Sequence, residues 1–145
     1  MVDLENIHSY IYGLVDPRTN EIFYVGITEN PKGRLGQHIW TVRSSRGNYA
    51  SKQYIISLLD VGIRPQMVIL DQIKTSRREP GDHMRSYALE NHWINAAQAQ
   101  GMAWCNNTST LDSDRQTNPI STDALNQFMA NKPDINREPN FIKAE

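Results

Sequence analysis

The chain has 145 residues, one cysteine and a formal net charge of −1. This length predicts one domain with a tail, and the balanced charge excludes a global basic field as the means of binding nucleic acid. The single cysteine excludes an internal disulfide, and the lack of a long apolar run or a signal-peptide pattern predicts a cytoplasmic protein outside the membrane.

Two runs rich in aromatic and branched residues, 10–16 and Glu21–Thr28, predict a pair of strands. The sequence Asp16-Pro17-Arg18-Thr19-Asn20 joins them, and this is turn chemistry because proline presets φ and the Asp and Asn side chains bond nearby backbone. We therefore expect an antiparallel hairpin that carries Tyr12 and Tyr24 on neighbouring strands. The register of the hairpin decides whether both tyrosines point into one cleft.

A helix is predicted to begin at Pro31, because a first-turn proline sacrifices no intrahelical hydrogen bond. Three apolar side chains at helical spacing predict its core stripe: Leu35, Ile39 and Val42. Arg34 and His38 are four residues apart, so they lie together on a neighbouring face of the same helix.

Residues 30–59 contain five basic side chains and no acidic one. The five are Lys32, Arg34, Arg43, Arg46 and Lys52. A local positive patch of this kind can bind phosphate even when the whole chain is close to neutral. An ordinary solvated helix face would have the same composition.

The next segments alternate helix, strand and helix. A second helix is predicted over Ala50–Asp60 with Gly62 as its stop, a third strand over 66–73, and a third helix over 82–100 that ends at Gly101. The expected fold class is α+β, a small three-stranded antiparallel sheet flanked by helices.

The composition changes after residue 108, where Ser, Thr, Asn, Asp and Pro become dominant. This change predicts a domain over 1–108 and a tail over 109–145 that wraps the domain or stays partly loose. A short helix is predicted within the tail over 122–131. Its apolar side could dock a protein partner or a second copy of the chain: Leu125, Phe128 and Met129.

The order of these elements resembles the GIY-YIG endonuclease family. Tyr10-Ile11-Tyr12 is similar to the first motif of the family, with tyrosine in the glycine position, and Tyr24-Val25-Gly26 is similar to the second. Arg34 and His38 match the arginine and histidine of the family's helix. The resemblance covers residues 10–108.

Two later motifs also match. Glu90, in the sequence LENHWI, matches the metal-binding glutamate of the family, and Asn106, in WCNNT, matches a late asparagine. Asn107 is an equally available neighbour for that second assignment. In this family pattern, Asn106 would hold the chain end against the third helix, and Gly26 would allow close backbone approach at the strand end.

The resemblance implies a metal-dependent endonuclease that hydrolyses phosphodiester bonds in DNA with Mg²⁺ or Mn²⁺ as cofactor. Glu90 is a hard oxygen ligand and would hold the metal, and Arg34 would clamp phosphate oxygens through its planar fork. Tyr12 would be the general base or would position water, while Tyr24 contacts phosphate. His38 titrates near neutrality, so it could accept the proton itself or assist Tyr12.

Several alternatives stay open from the sequence. The chain could be a non-cleaving nucleic-acid-binding or regulatory protein that retains the fold, a nuclease acting on RNA, or an interaction protein whose tail docks a partner. Lys32, Arg43, Arg46 and Lys52 would grip phosphates without reading sequence, so no specificity is visible. A phage, a mobile element or a repair pathway would suit such a domain equally.

Overall fold

The computed structural model describes residues 6–42, 50–76, 82–106 and 119–133. Within these ranges the elements in chain order are β1 Asn6–Asp16, β2 Glu21–Thr28, α1 Pro31–Trp40, α2 Ala50–Asp60, β3 Gln66–Ser76, α3 Asp82–Ala99 and α4 Thr122–Ala130. The three strands form one antiparallel sheet in the order β2-β1-β3. The predicted α+β class and the antiparallel sheet are therefore confirmed.

β1 is the central strand, and its register against β2 settles the orientation of the tyrosines. Tyr12 pairs with Gly26, and Leu14 pairs with Tyr24. Residues directly opposite each other on paired strands project to the same face, so Tyr12 and Tyr24 share one side of the sheet. An extra residue, Phe23, interrupts the register between Leu14 and Val15 and turns its own side chain to that side as well.

The sheet separates two clusters of buried side chains. The cluster facing α3 and α4 is built around Ile11, Leu70, Leu89, Trp93 and Leu125. The cluster facing α1 and α2 is built around Tyr12, Leu14, Phe23, Ile55 and Leu58. Tyr12 is therefore part of the hydrophobic interior of the second cluster.

β1 and β3 are both longer than predicted, at the end of the sheet where β1 begins and β3 ends. β1 begins at Asn6 and β3 continues to Ser76, and these two residues face each other in the register. The added residues are mostly polar and carry no local strand signal. Their backbone hydrogen bonds to one another extend the ladder, an effect that only the pairing supplies.

The predicted core stripe of α1 is confirmed only in part, because Val42 belongs to the second cluster and Leu35 packs against it, whereas Ile39 does not. The helix ends at Trp40 and contains no buried residue, because Leu35 and Ile39 are only partly covered and Val42 is buried beyond the helix end. Trp40 is 70% exposed, with the Arg64 guanidinium 4.9 Å from its ring centroid.

α4 packs against the domain, which is the wrapped alternative of the two predicted for the tail. Leu125 is buried in the cluster around Trp93, and Phe128 and Met129 pack against the same cluster. The Phe128 and Trp93 rings meet edge to face at 5.3 Å, and the Lys132 ammonium donates to the Leu70 carbonyl on β3. Leu125 of the predicted tail thus joins the core, and the apolar side suggested for a partner is partly covered by the chain itself. In the described ranges, no helix has both the length and the apolar character to span a bilayer.

Candidate active site

The Tyr12 hydroxyl lies 2.9 Å from Nε2 of His38, which joins β1 to α1. The ring of Tyr12 lies over Gly26, its partner across the strands. A Cβ at Gly26 would lie 2.6 Å from the Tyr12 hydroxyl oxygen and 2.7 Å from its Cζ, closer than any relaxed contact. Glycine at this position is therefore required by the Tyr12 ring.

Tyr24 completes an aromatic triangle with these two side chains. The ring centroids are 6.3 Å apart for Tyr12 and Tyr24, 5.9 Å for Tyr12 and His38, and 5.8 Å for Tyr24 and His38. The sheet register and α1 together bring these three predicted residues to one place.

A compact capping arrangement orients α1 toward the tyrosines. The Asn30 side chain accepts a hydrogen bond from the Gly33 N–H, Pro31 occupies the first turn, and the Asn30 N–H donates to Oγ1 of Thr28 at the end of β2. Because the helix starts immediately after the strand, Arg34 lies one turn inside it. Its guanidinium charge acts to lower the pKa of the Tyr12 phenol.

Glu90 reaches the same region from α3. It is partly buried next to the fully buried Leu89, and burial raises the pKa of its carboxyl. Its charge also acts to raise the pKa values of both Tyr12 and Tyr24, so the carboxylate is electrostatically coupled to both tyrosines. Within the described ranges no hydrogen bond or ion pair engages this carboxylate.

The tyrosines and the histidine are held in their neutral forms. Burial first, and then the proximity of Tyr24, raise the pKa of Tyr12 far above its ordinary value. Burial and the Arg34 charge lower the pKa of His38 from 6.5 to about 4. At neutral pH a phenol therefore faces an uncharged imidazole, which can accept its proton in a hydrogen bond.

A family model described as the GIY-YIG catalytic domain matches residues 8–103. The chain belongs to the GIY-YIG family. Membership implies a nuclease-type function, since proteins with this domain are generally endonucleases that use divalent metals. Comparison with curated proteins and with solved structures found no match.

The donor set of this GIY-YIG domain fits a cation held by one protein ligand. In the described part of the chain no three His, Cys, Asp or Glu side chains come together as a metal cage. Glu90 offers hard carboxylate oxygens that no described residue occupies. A single carboxylate suits Mg²⁺, which usually keeps several of its own waters.

Asn106 acts on β2 instead of α3, which corrects the expected contact with the third helix. Its Oδ1 accepts from the Val25 N–H and its Nδ2 donates to the Val25 carbonyl, both at 2.9 Å. Val25 lies between Tyr24 and Gly26, so the amide fixes the second motif of the GIY-YIG domain from its outer edge. Asn107 lies outside the described residues.

The structure describes only part of the basic patch. Lys32 is exposed on α1, and Lys52 is partly buried on α2. Arg43 and Arg46 lie outside the described residues.

One buried cluster was not predicted from the sequence. Asp16 is fully buried and receives two hydrogen bonds from the Arg18 guanidinium, at 3.1 and 2.8 Å, and one from the Tyr54 hydroxyl at 2.5 Å. Burial acts to raise the pKa of Asp16, but these hydrogen bonds outweigh it and hold the pKa below its usual value. The sequence Asp16-Pro17-Arg18 predicts the turn, whereas the hydrogen bond from Tyr54 on α2 to Asp16 could be identified only from the folded structure.

Proposed function

We propose that this GIY-YIG domain is a metal-dependent endonuclease that hydrolyses phosphodiester bonds in DNA. The meeting of Tyr12, Tyr24 and His38 at one point, with Arg34 and Glu90 coupled to it, carries the proposal. Phosphodiester hydrolysis needs an activated water, neutralisation of phosphoryl charge and stabilisation of the leaving oxygen. These residue types can meet all three needs.

Tyr12 and His38 act together as the base. With the His38 proton on Nδ1, Nε2 accepts the phenolic proton of Tyr12, and the lone pairs of the phenol oxygen then accept a proton from water. As water adds to phosphorus, its proton passes to the Tyr12 oxygen while the phenol proton passes to His38 Nε2. Tyr12 never becomes a free phenolate, which its raised pKa would oppose, and the negative charge of the bound phosphate offsets the burial and the Arg34 charge that lower the pKa of His38 in the free protein.

Arg34 and Tyr24 bind the phosphate. A guanidinium holds two phosphoryl oxygens at once, and its fixed charge is most effective where negative charge grows in the transition state. Burial raises the pKa of Tyr24 above its ordinary value, so the phenol keeps its proton and can donate to a phosphoryl oxygen.

Glu90 would hold Mg²⁺ or Mn²⁺ through its carboxylate. When bound, the ion supplies Lewis-acid stabilisation of charge on the leaving 3′ oxygen. The bond from phosphorus to that oxygen breaks, the leaving 3′ oxygen takes a proton from solvent, His38 returns its extra proton to solvent, and the products carry a 5′ phosphate and a 3′ hydroxyl. Lys32 and Lys52, together with Arg43 and Arg46, are proposed to contact phosphates on either side of the cleaved bond.

The test is cleavage of a panel of nucleic acids by the full chain. Plasmid, linear duplex, single-stranded and branched DNA, and RNA are each incubated with Mg²⁺, Mn²⁺ or EDTA. We expect DNA cleavage that EDTA and Glu90→Gln abolish, and a rate loss of roughly 10²-fold or more for Arg34→Ala. Asp123→Asn, an exposed acid on α4, is the matched control and should cut like the wild type.

Each contrary result has a defined meaning. Binding of DNA without cleavage in any metal would favour the non-cleaving alternative, and cleavage of RNA alone would replace the substrate. Full activity of Glu90→Gln would overturn the role of this carboxylate.

A further inference from the structure

A cavity of about 260 Å³ opens beside Arg34, at the open end of the hairpin. Its lining comes from both tyrosine-bearing strands, the segment after β2, and the first half of α3. The polar and aromatic members are Ser9, Thr28, Glu29, Ser86 and Tyr87. None of these residues takes part in the chemistry described above.

The cavity lies next to the reaction site through both of its helices. Arg34 lines it from α1, while Ser86 and Tyr87 line it from α3. Ser86 and Tyr87 precede Glu90 by four and three residues, so they lie on the same side of α3 as the metal-binding carboxylate. A group joined to the cleaved phosphate through a single sugar could therefore enter this cavity.

The lining suits a flat, polar-edged aromatic group better than a second phosphate. Tyr87 is 55% exposed, and an exposed aromatic ring offers a stacking surface that any base can use. Glu29 is an exposed acid that would repel a phosphate, but its oxygens can accept from the exocyclic amine of a base. Ser9 is only 7% exposed, and no hydrogen bond joins its hydroxyl to another described residue.

We propose that this cavity binds one unstacked nucleobase next to the cleaved phosphate, with Tyr87 as its stacking platform and Glu29 as acceptor for its exocyclic amine. The inference rests on the proposed nuclease function and narrows its substrate. Bases inside an intact duplex are stacked and unavailable to the cavity. The domain therefore prefers DNA that is single-stranded or branched at the cleavage position.

The test places 2-aminopurine, whose fluorescence rises when it leaves the base stack, at the nucleotide beside the cleavage site. Binding is measured in EDTA, where no cleavage occurs, on single-stranded, branched and fully duplex DNA. We expect Tyr87→Ala to weaken binding of the first two substrates by about 5- to 100-fold and to change duplex binding less than about 2-fold. Tyr87→Phe should bind like the wild type.

Two further variants sharpen the result. Met84→Ala removes another exposed side chain of α3 that does not line the cavity, so it should leave binding unchanged. Glu29→Ala should abolish any preference for cytosine or adenine over thymine at the probed position, because thymine has no exocyclic amine. Preserved thermal unfolding of each variant shows that the fold is intact.

The two proposals fail in different ways. If DNA is cut in Mg²⁺ but Tyr87→Ala binds every substrate like the wild type, the base site is overturned and the nuclease function stands. If the wild type neither binds nor cuts any of these substrates, both proposals are overturned.

Discussion

The hydrogen bond between the Tyr12 hydroxyl and His38 Nε2 connects a residue of the hydrophobic interior to a residue of a partly exposed helix. Burial favours the uncharged forms of both groups, since it moves the pKa of the phenol up and that of the imidazole down. The pair therefore resists ionisation until a substrate changes its surroundings. Because the folded protein disfavours protonation of His38, its free energy of unfolding should depend on pH.

The free energy of unfolding should decrease as the pH falls from about 6.5 to about 4. The unfolded chain binds the His38 proton near 6.5, whereas the folded protein does so only near 4, so protonation in this window favours unfolding. The loss from this group is at most ~1.4 kcal/mol per pH unit. Urea unfolding at several pH values should show a flatter dependence for His38→Gln, and an unchanged one for the exposed His8→Gln. Equal slopes for wild type and His38→Gln would contradict the assigned burial.

Gly26→Ala should lose both activity and stability. The new Cβ would lie 2.6 Å from the Tyr12 hydroxyl oxygen, and the fully buried ring has no room to move, so we expect a cost of roughly 1–3 kcal/mol. Gly36→Ala is the matched control, because its nearest neighbour would be the Trp40 side chain at an ordinary 3.7 Å. It should be neutral or stabilising by up to about 1 kcal/mol through helix propensity. Thermal unfolding and cleavage rates of the two variants would decide; equal behaviour would refute the proposed packing constraint.

Asn106→Asp should destabilise the domain and lower its activity, although the two side chains have nearly the same size. One carboxylate oxygen can still accept from the Val25 N–H, but the other would face the Val25 carbonyl with no proton between them. We expect a loss of about 1–3 kcal/mol in unfolding free energy and a lower cleavage rate, because Tyr24 and Gly26 flank Val25. Hydrogen exchange at the Val25 amide should distinguish this variant from Asn106→Ala, which loses both bonds. Protection at Val25 that survives Asn106→Ala would show that the amide is dispensable.

Leu125→Ala should destabilise the whole domain although it lies in the predicted tail. The side chain is buried against the cluster around Trp93, and removing a buried leucine typically costs about 2–5 kcal/mol. Asn126→Ala, one position along on the exposed side of α4, should change stability by less than about 0.5 kcal/mol. Denaturant unfolding followed by fluorescence measures both. A wild-type midpoint for Leu125→Ala would mean that α4 is dispensable for folding.

Local chemistry made some of the elements predictable. The bounds of β2 and α2 match the prediction, because a turn with proline precedes β2 and Gly62 follows α2. The start of β1 and the end of β3 did not follow from the sequence, since the mostly polar residues there become strand only by pairing with each other. The core stripe of α1 was only partly right, because helical spacing identifies a common face without showing how much of it is covered.

The site was predictable as a set of residues and not as a geometry. Family motifs pointed to Tyr12, Tyr24, His38 and the distant Glu90, but only the register shows that the two tyrosines share a face. No local signal in the sequence indicated that Asn106 would reach the backbone of Val25, because that contact spans 81 residues.

The lack of any buried residue in α1 ties the proposed catalysis to folding. An ordinary surface helix is held by an apolar stripe, and its polar face is free to vary. Here the attachment depends on partial contacts of Leu35, the cap at Asn30 and the bond from His38 to Tyr12. A lineage that lost the chemistry proposed for His38 by replacing this residue would also loosen the helix that carries Arg34, so loss of the proposed activity and local unfolding would proceed together.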